Sequence, residues 1–205
     1  MGMSKLFLAT NNQAKVREYR SLLRNLPYEL VTPAEEGVIS IVNEVGESLE
    51  ENARLKAIAG AVKSQLLALA DDSGLEVDAL GGEPSWLSAR YAGEGASDKD
   101  RVNYLLSRLK GVPREKRSAC FKCVIAVATP EGGEVEFCSG ECRGVITFEP
   151  KGEQGFGYDP IFYLPELGKT MAELPLATKN KISHRGQAAR KVYQVLERLR
   201  GHQKS

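Results

Sequence analysis

Between Ser118 and Phe148 the chain holds two long β-rich runs, Ser118 to Thr129 and Glu134 to Phe148. Only Pro130-Glu131-Gly132-Gly133 separates them. A turn that short joins strands as a hairpin, so the two runs must pair antiparallel. Earlier segments have a different rhythm. Lys5 to Ala9 is a short apolar strand, followed by a polar turn. Val16, Tyr19, Leu22, Leu23 and Leu26 then recur at helical spacing, and the stripe ends before Pro27. Strand–turn–helix units favour parallel pairing. A chain with both signals is expected to form a mixed α/β sheet with flanking helices.

Two further units repeat the strand-to-helix pattern. Val38 to Val42 reads as a strand, leading through Asn43-Glu44-Val45-Gly46 to the capping box Ser48-Leu49-Glu50-Glu51. The helix that starts there is rich in alanine (Ala53, Ala57, Ala61) and suited to close packing. Leu69-Ala70-Asp71-Asp72-Ser73-Gly74 reads as a buried strand ending in two carboxylates, with the glycine turning the backbone. Ligands gather at such strand ends in open α/β sheets. Adjacent carboxylates repel unless a cation lies near them, and a hard divalent ion fits that role. Alternatively, Asp71 or Asp72 caps a polar turn, and Glu44 is an exposed loop acid.

Several stretches suit an anionic ligand. Asn11 or Asn12 can cap the first helix, whose free N–H groups favour a phosphate, with Lys15 in its first turn. Asp98 to Lys110 is a helix with Val102, Leu105, Leu106 and Leu109 on a core face. Gly155-Phe156-Gly157-Tyr158-Asp159-Pro160 is a tight turn that sets two aromatics between glycines. They are either a platform for a base or plugs in a small core. Pro160 occupies the third glycine position of a dinucleotide fingerprint, which excludes that motif. Lys179, Lys181, His184 and Arg185 form the densest cationic cluster, with Ser183 as N-cap of a last helix carrying Ala189, Val192, Val195, Leu196 and Leu199.

Bulk properties narrow the classes. At 205 residues the chain fits one domain. A net charge of +1 gives no overall field toward nucleic acid or a membrane surface, so an anionic substrate needs local cations. No apolar run approaches the ~20 residues of a membrane span, and no signal peptide is apparent at Met1–Leu6; the chain reads as cytoplasmic. Cys120-x-x-Cys123 and Cys138-x-x-x-Cys142 have the look of zinc knuckles. However, Cys120 and Cys123 have opposite parity on a strand, so the four thiols read as core residues.

Taken together, the motifs resemble the inosine triphosphatase family, the dITP/XTP pyrophosphatases. The resemblance runs from Leu6 to about Leu199. It rests on Ala9-Thr10-Asn11-Asn12-x-x-Lys15, Glu44-x-Gly46 with Glu51-Asn52-Ala53, Ala70-Asp71-Asp72-Ser73-Gly74-Leu75, Ser88-Ala89-Arg90-Tyr91, Gly155-Phe156-Gly157-Tyr158-Asp159-Pro160, and Ser183-His184-Arg185-Gly186. It implies an α/β fold with a long curved mixed β-sheet, flanking helices in two lobes and a central cleft, all within one domain spanning 1–205. It also implies Mg²⁺-dependent hydrolysis of ITP, dITP and XTP to the monophosphate and pyrophosphate, by a homodimer that binds neither nucleic acid nor membrane. The alternatives are a related pyrophosphatase for other nucleotides, or a catalytically silent nucleotide-binding protein. By the same resemblance, Asp72 is the proton acceptor and a metal ligand, and Glu44 is the second metal carboxylate. Lys15 is catalytic and, with Thr10, Asn11, Asn12, Gln13, Ala14 and Ser73, lines the triphosphate. Phe156, Gly157, Tyr158, Asp159, Lys179, His184 and Arg185 surround the nucleotide and its base.

Overall fold

A computed structural model describes residues 3–38, 46–132 and 135–202. The expected strand Val38 to Val42, Glu44 and part of the 130–133 turn lie outside the described residues, apart from Val38 itself, which is not in a strand. The elements are β1 (Ser4–Leu8), α1 (Gln13–Leu22), β2 (Tyr28–Val31), α2 (Leu49–Ser64), β3 (Ala68–Val77), β4 (Pro84–Ser85), α3 (Asp98–Arg108), β5 (Ser118–Ala128), β6 (Glu136–Ile146), β7 (Phe162–Leu164), β8 (Lys169–Thr170), α4 (Leu176–Ile182) and α5 (His184–His202). The hydrogen-bonded strand order is β2-β1-β3-β5-β6-β7-β8, with β4 paired to β3. Pairing is parallel at β1/β2 and β1/β3 and antiparallel at β3/β4, β6/β7 and β7/β8. The sheet is therefore mixed, as expected.

The chain divides into two compact units. The first holds the residues up to Asp72, Cys123–Gly140 and those from Arg185 onward. The β3 and β5 segments of this unit are buried on nearly every residue, and side-chain alternation sorts the buried strand residues into two cores. Leu6, Leu8, Leu69, Cys123, Ile125 and Val127 meet Val16 and Tyr19 of α1 and Ala188, Val192 and Leu196 of α5. Phe7, Ala9, Ala68, Ala70, Ala126 and Ala128 meet Ala53, Ala57 and Ala61 of α2. The alanine face lets α2 lie close to the strands. A Cβ on Gly60 would stand 2.9 Å from the Ala9 Cβ.

The second unit, Ser73–Lys122 with Glu141–His184, has one core. Leu75, Val77, Val102, Leu105, Leu109, Phe121, Ile146 and Phe162 are among its members. Ser97 and Asp100 form a reciprocal capping box at the start of α3. Arg117 is buried, and its guanidinium donates to the carbonyls of Leu109, Val112 and Thr147. All four cysteines are buried free thiols.

Three expectations are corrected. Strand β3 does not stop at Asp71 but runs on through Gly74 to Val77. Gly74 does not turn the chain: a Cβ there would stand 2.2 Å from the Ser85 carbonyl oxygen, so it permits the close approach of β4. Lys179-Asn180-Lys181 precedes the last helix, as expected, and itself lies on the short helix α4. At the start of α2, Ser48 accepts from the Glu51 N–H, but the Glu51 carboxylate accepts from Glu47 N–H, so only half of the expected box forms.

Candidate active site

Because Asp71 and Asp72 are consecutive in a strand, they leave it on opposite faces. The paired-carboxylate reading is corrected accordingly. Asp71 shares the parity of Leu69 and enters the layer of α1 and α5. Asp72 shares the parity of Ala70 and enters the layer of α2. Each meets its own set of cations in the first unit.

Asp71 is fully buried as a side chain. One carboxylate oxygen lies 3.0 Å from Lys15 Nζ. The other accepts from Arg185 Nε at 3.2 Å and from a terminal guanidinium nitrogen at 3.1 Å. Arg185 is 1% exposed, and its remaining terminal nitrogen donates to Glu18 Oε2 at 2.7 Å. Burial acts to lower the Arg185 pKa, but the charges of Asp71 and Glu18 outweigh it and hold the guanidinium well above its ordinary value. Burial first, and then the Asp71 charge, push the Tyr19 hydroxyl well above its usual range. Arg185 lies in the first turn of α5, and its guanidinium is held inside the first unit by two carboxylates.

Asp72 is held from α2. Lys56 Nζ lies 2.7 Å from its Oδ1 and Asn52 Nδ2 3.4 Å from its Oδ2. The same Lys56 ammonium donates to the Asp71 carbonyl oxygen at 2.8 Å, and Lys15 Nζ reaches that oxygen at 3.4 Å. Two ammonium groups thus converge on one peptide oxygen. Asn52 in turn accepts from Gly46 N–H at 2.9 Å. The buried carboxylate of Asp72 and the adjoining carbonyl are hard oxygen donors that fit a hard divalent cation. Among the described residues, no group of three or more acidic, histidine or cysteine side chains is placed to hold a metal.

Neither Lys56 nor Glu18 belongs to a chemical motif. Their spacing is the available signal: Lys15 and Glu18 are three apart on α1, and Asn52 and Lys56 four apart on α2, so each pair shares a helix face. At the start of α1, Asn12 Oδ1 accepts from the N–H groups of Ala14 (2.9 Å) and Lys15 (3.2 Å), and Thr10 Oγ1 accepts from Asn12 N–H. Asn11, Asn12 and Gln13 are exposed, and Thr10, Ala14 and Lys15 half-buried.

In the second unit, Asp159 is buried and ion-paired with Lys179. Its Oδ2 also accepts from Phe156 N–H at 2.9 Å. Lys179 Nζ stands 4.9 Å from the Phe156 ring centroid, within cation–π range. Phe156 and Gly157 are half-buried. Tyr158 is not an exposed platform: it is 4% exposed, belongs to the core and donates its hydroxyl to the Ser88 carbonyl at 2.9 Å. His184 is likewise buried, stacked on Phe121 with centroids 4.7 Å apart. Ser73 is half-buried in β3.

A sequence profile described as the Ham1 family matches residues 6–195. The chain belongs to the Ham1 family. Within this family, it is 51% identical to a dITP/XTP pyrophosphatase of Desulforamulus reducens over 97% of this chain and 98% of that one. It is 45% identical to a dITP/XTP pyrophosphatase of Bacillus subtilis, covering 95% and 98%. Among solved structures it is similar to a HAM1 protein from Coxiella burnetii, with a TM-score of 0.86 and 41% identity, covering 96% of this chain and 100% of that chain. The resemblance carried by the six motifs and the mixed α/β fold agree with these Ham1 relatives.

Proposed function

We propose that this protein is a nucleoside triphosphate pyrophosphatase that hydrolyses noncanonical purine nucleotides (ITP, dITP and XTP) to the monophosphate and pyrophosphate, clearing them from the nucleotide pool. The observation that carries the reading is the convergence of Lys15 and Lys56 on the Asp71–Asp72 peptide, beside the capped start of α1. A triphosphate needs several fixed cations, and an attacking water needs a nearby base. Asp72 takes the proton from that water. Lys15 and the segment from Thr10 to Lys15 at the positive end of α1 receive charge that builds on the leaving pyrophosphate. The Lys56 ammonium can pass from the Asp72 carboxylate to a phosphate oxygen, releasing Asp72 for its role.

Asp72 and Glu44 would hold Mg²⁺, which when bound neutralises phosphate charge and lowers the pKa of a coordinated water. Ser73 joins the triphosphate contacts. Phe156, Gly157, Asp159, Lys179 and His184 hold the nucleoside. Tyr158 and Arg185 act from buried positions, Tyr158 by bracing the 155–159 turn and Arg185 by fixing Asp71. Base choice is a matter of donors and acceptors. A donor aimed at a 6-keto oxygen faces the amino group of adenine instead, and an unpaired buried donor costs about 1–3 kcal/mol. The protein acts in the cytoplasm as a homodimer, without nucleic acid or membrane.

Pyrophosphate release from ITP, XTP, GTP and ATP, with and without Mg²⁺, tests this reading. Release from ITP and XTP should need Mg²⁺ and exceed that from ATP by about a hundredfold. Asp72→Asn should abolish it in a folded protein. Release retained by that variant would remove Asp72 from the chemistry.

A further inference from the structure

We propose that Asp98 is a positioning residue for the base-holding turn at Gly155–Asp159, acting through the Gly157 peptide. The inference rests on the reading of that turn given above. Asp98 is the first residue of α3, yet the helix start does not depend on it. Ser97 and Asp100 already satisfy the cap reciprocally. The Asp98 carboxylate is committed elsewhere. Its Oδ2 accepts from Gly157 N–H at 2.7 Å, the short distance of a charge-assisted bond. Its Oδ1 is gripped by Arg101.

Arg101 is itself anchored, since it donates to the carbonyls of Ala89 at 3.0 Å and Ala96 at 2.6 Å. The carboxylate therefore ties the turn to a braced segment of the same unit. Tyr158 makes a second tie there through Ser88. Gly157 has φ +63 and Gly155 φ +75, conformations that leave the turn little stiffness of its own. The adjacent amides of Phe156 and Gly157 are both taken by carboxylates, Asp159 and Asp98. With both amides fixed, the Phe156 ring and the Asp159–Lys179 pair are held ready before a base arrives. Asp98 touches neither the ring nor the pair, so it acts on binding through preorganisation.

The test compares the full-length wild type with Asp98→Ala and Asp98→Asn by amide hydrogen–deuterium exchange and by steady-state hydrolysis of ITP. In Asp98→Ala, exchange in a peptide spanning 155–159 should quicken about tenfold while α3 keeps its protection. KM for ITP should rise about five- to tenfold with kcat within about twofold. Asp98→Asn keeps an acceptor oxygen without the charge and should stay within about threefold of wild type. Unchanged exchange at 155–159 overturns the grip. Faster exchange with an unchanged KM overturns its link to substrate, and a lower kcat at constant KM does the same. If the wild type hydrolyses no triphosphate, the proposed function fails, and the exchange comparison alone still decides whether Asp98 holds the turn.

Discussion

Lys56 Nζ sits 2.7 Å from Asp72 Oδ1 and 2.8 Å from the Asp71 carbonyl oxygen, so one ammonium on α2 clamps two consecutive residues of β3. Both side chains are nearly out of water, at 10% and 7% exposure. Breaking such a pair from one side strands a buried charge, which is far costlier than losing a surface ion pair.

Lys56→Ala is therefore expected to lower unfolding free energy by about 3–5 kcal/mol, as read from urea denaturation. Lys56→Ala combined with Asp72→Ala should recover part of that loss, because the orphaned carboxylate is removed as well.

Lys15 presents a different balance. Asp71 keeps Arg185 when Lys15 is removed, so Lys15→Ala should cost little stability. Its kcat/KM for ITP should fall about a hundredfold, with KM raised and kcat lowered together. Unchanged kinetics would take Lys15 out of the site.

Two glycines in one unit separate steric from conformational constraint. A Cβ on Gly74 meets the Ser85 carbonyl oxygen at 2.2 Å, whereas one on Gly81 meets nothing within 4 Å but would be held at φ +66. Gly81→Ala should cost about 1 kcal/mol. Gly74→Ala should cost about 3 kcal/mol or prevent folding, since backbone must move. A thermal melt of each variant decides.

Alkaline pH should loosen the fold through a thiol. Burial, with the nearby Cys120 adding to it, pushes Cys142 from 9.0 up to about 11. The unfolded thiol then ionises before the folded one, so this contribution is complete below pH 9 and declines as pH rises toward 11. Each tenfold difference in ionisation is worth about 1.4 kcal/mol. Screening by nearby solvent trims the total to roughly 1–2 kcal/mol. Urea midpoints should fall between about pH 9 and about pH 11, and Cys142→Ala should flatten that slope.

Local signals in the sequence carry the mixed sheet, α1, α2, α3 and α5, because periodicity and caps are short-range properties. Asn12 caps α1 and Ser48 caps α2 as their spacing implies. The end of β3 misleads because Asp-Asp-Ser-Gly has turn composition, while what keeps it extended is tertiary: β4 lies against Gly74. The burial of Arg185 and Tyr158 is hidden for a related reason. A polar group near a helix start or in a glycine-rich turn reads as exposed, and only distant partners, Glu18 and Ser88, make its burial tolerable. Helix α4 is seven residues long, too short for a stripe to emerge.

The alternation that parts Asp71 from Asp72 makes this strand intolerant of length change. Gaining one residue between Leu69 and Asp71 would hand the α2 lysine the wrong acid and leave Arg185 and Glu18 without the carboxylate that completes their cluster, whereas losing one would bring Ser73 in place of Asp72 before that lysine. Drift in this family can therefore trade side chains along β3 more freely than it can shift their count.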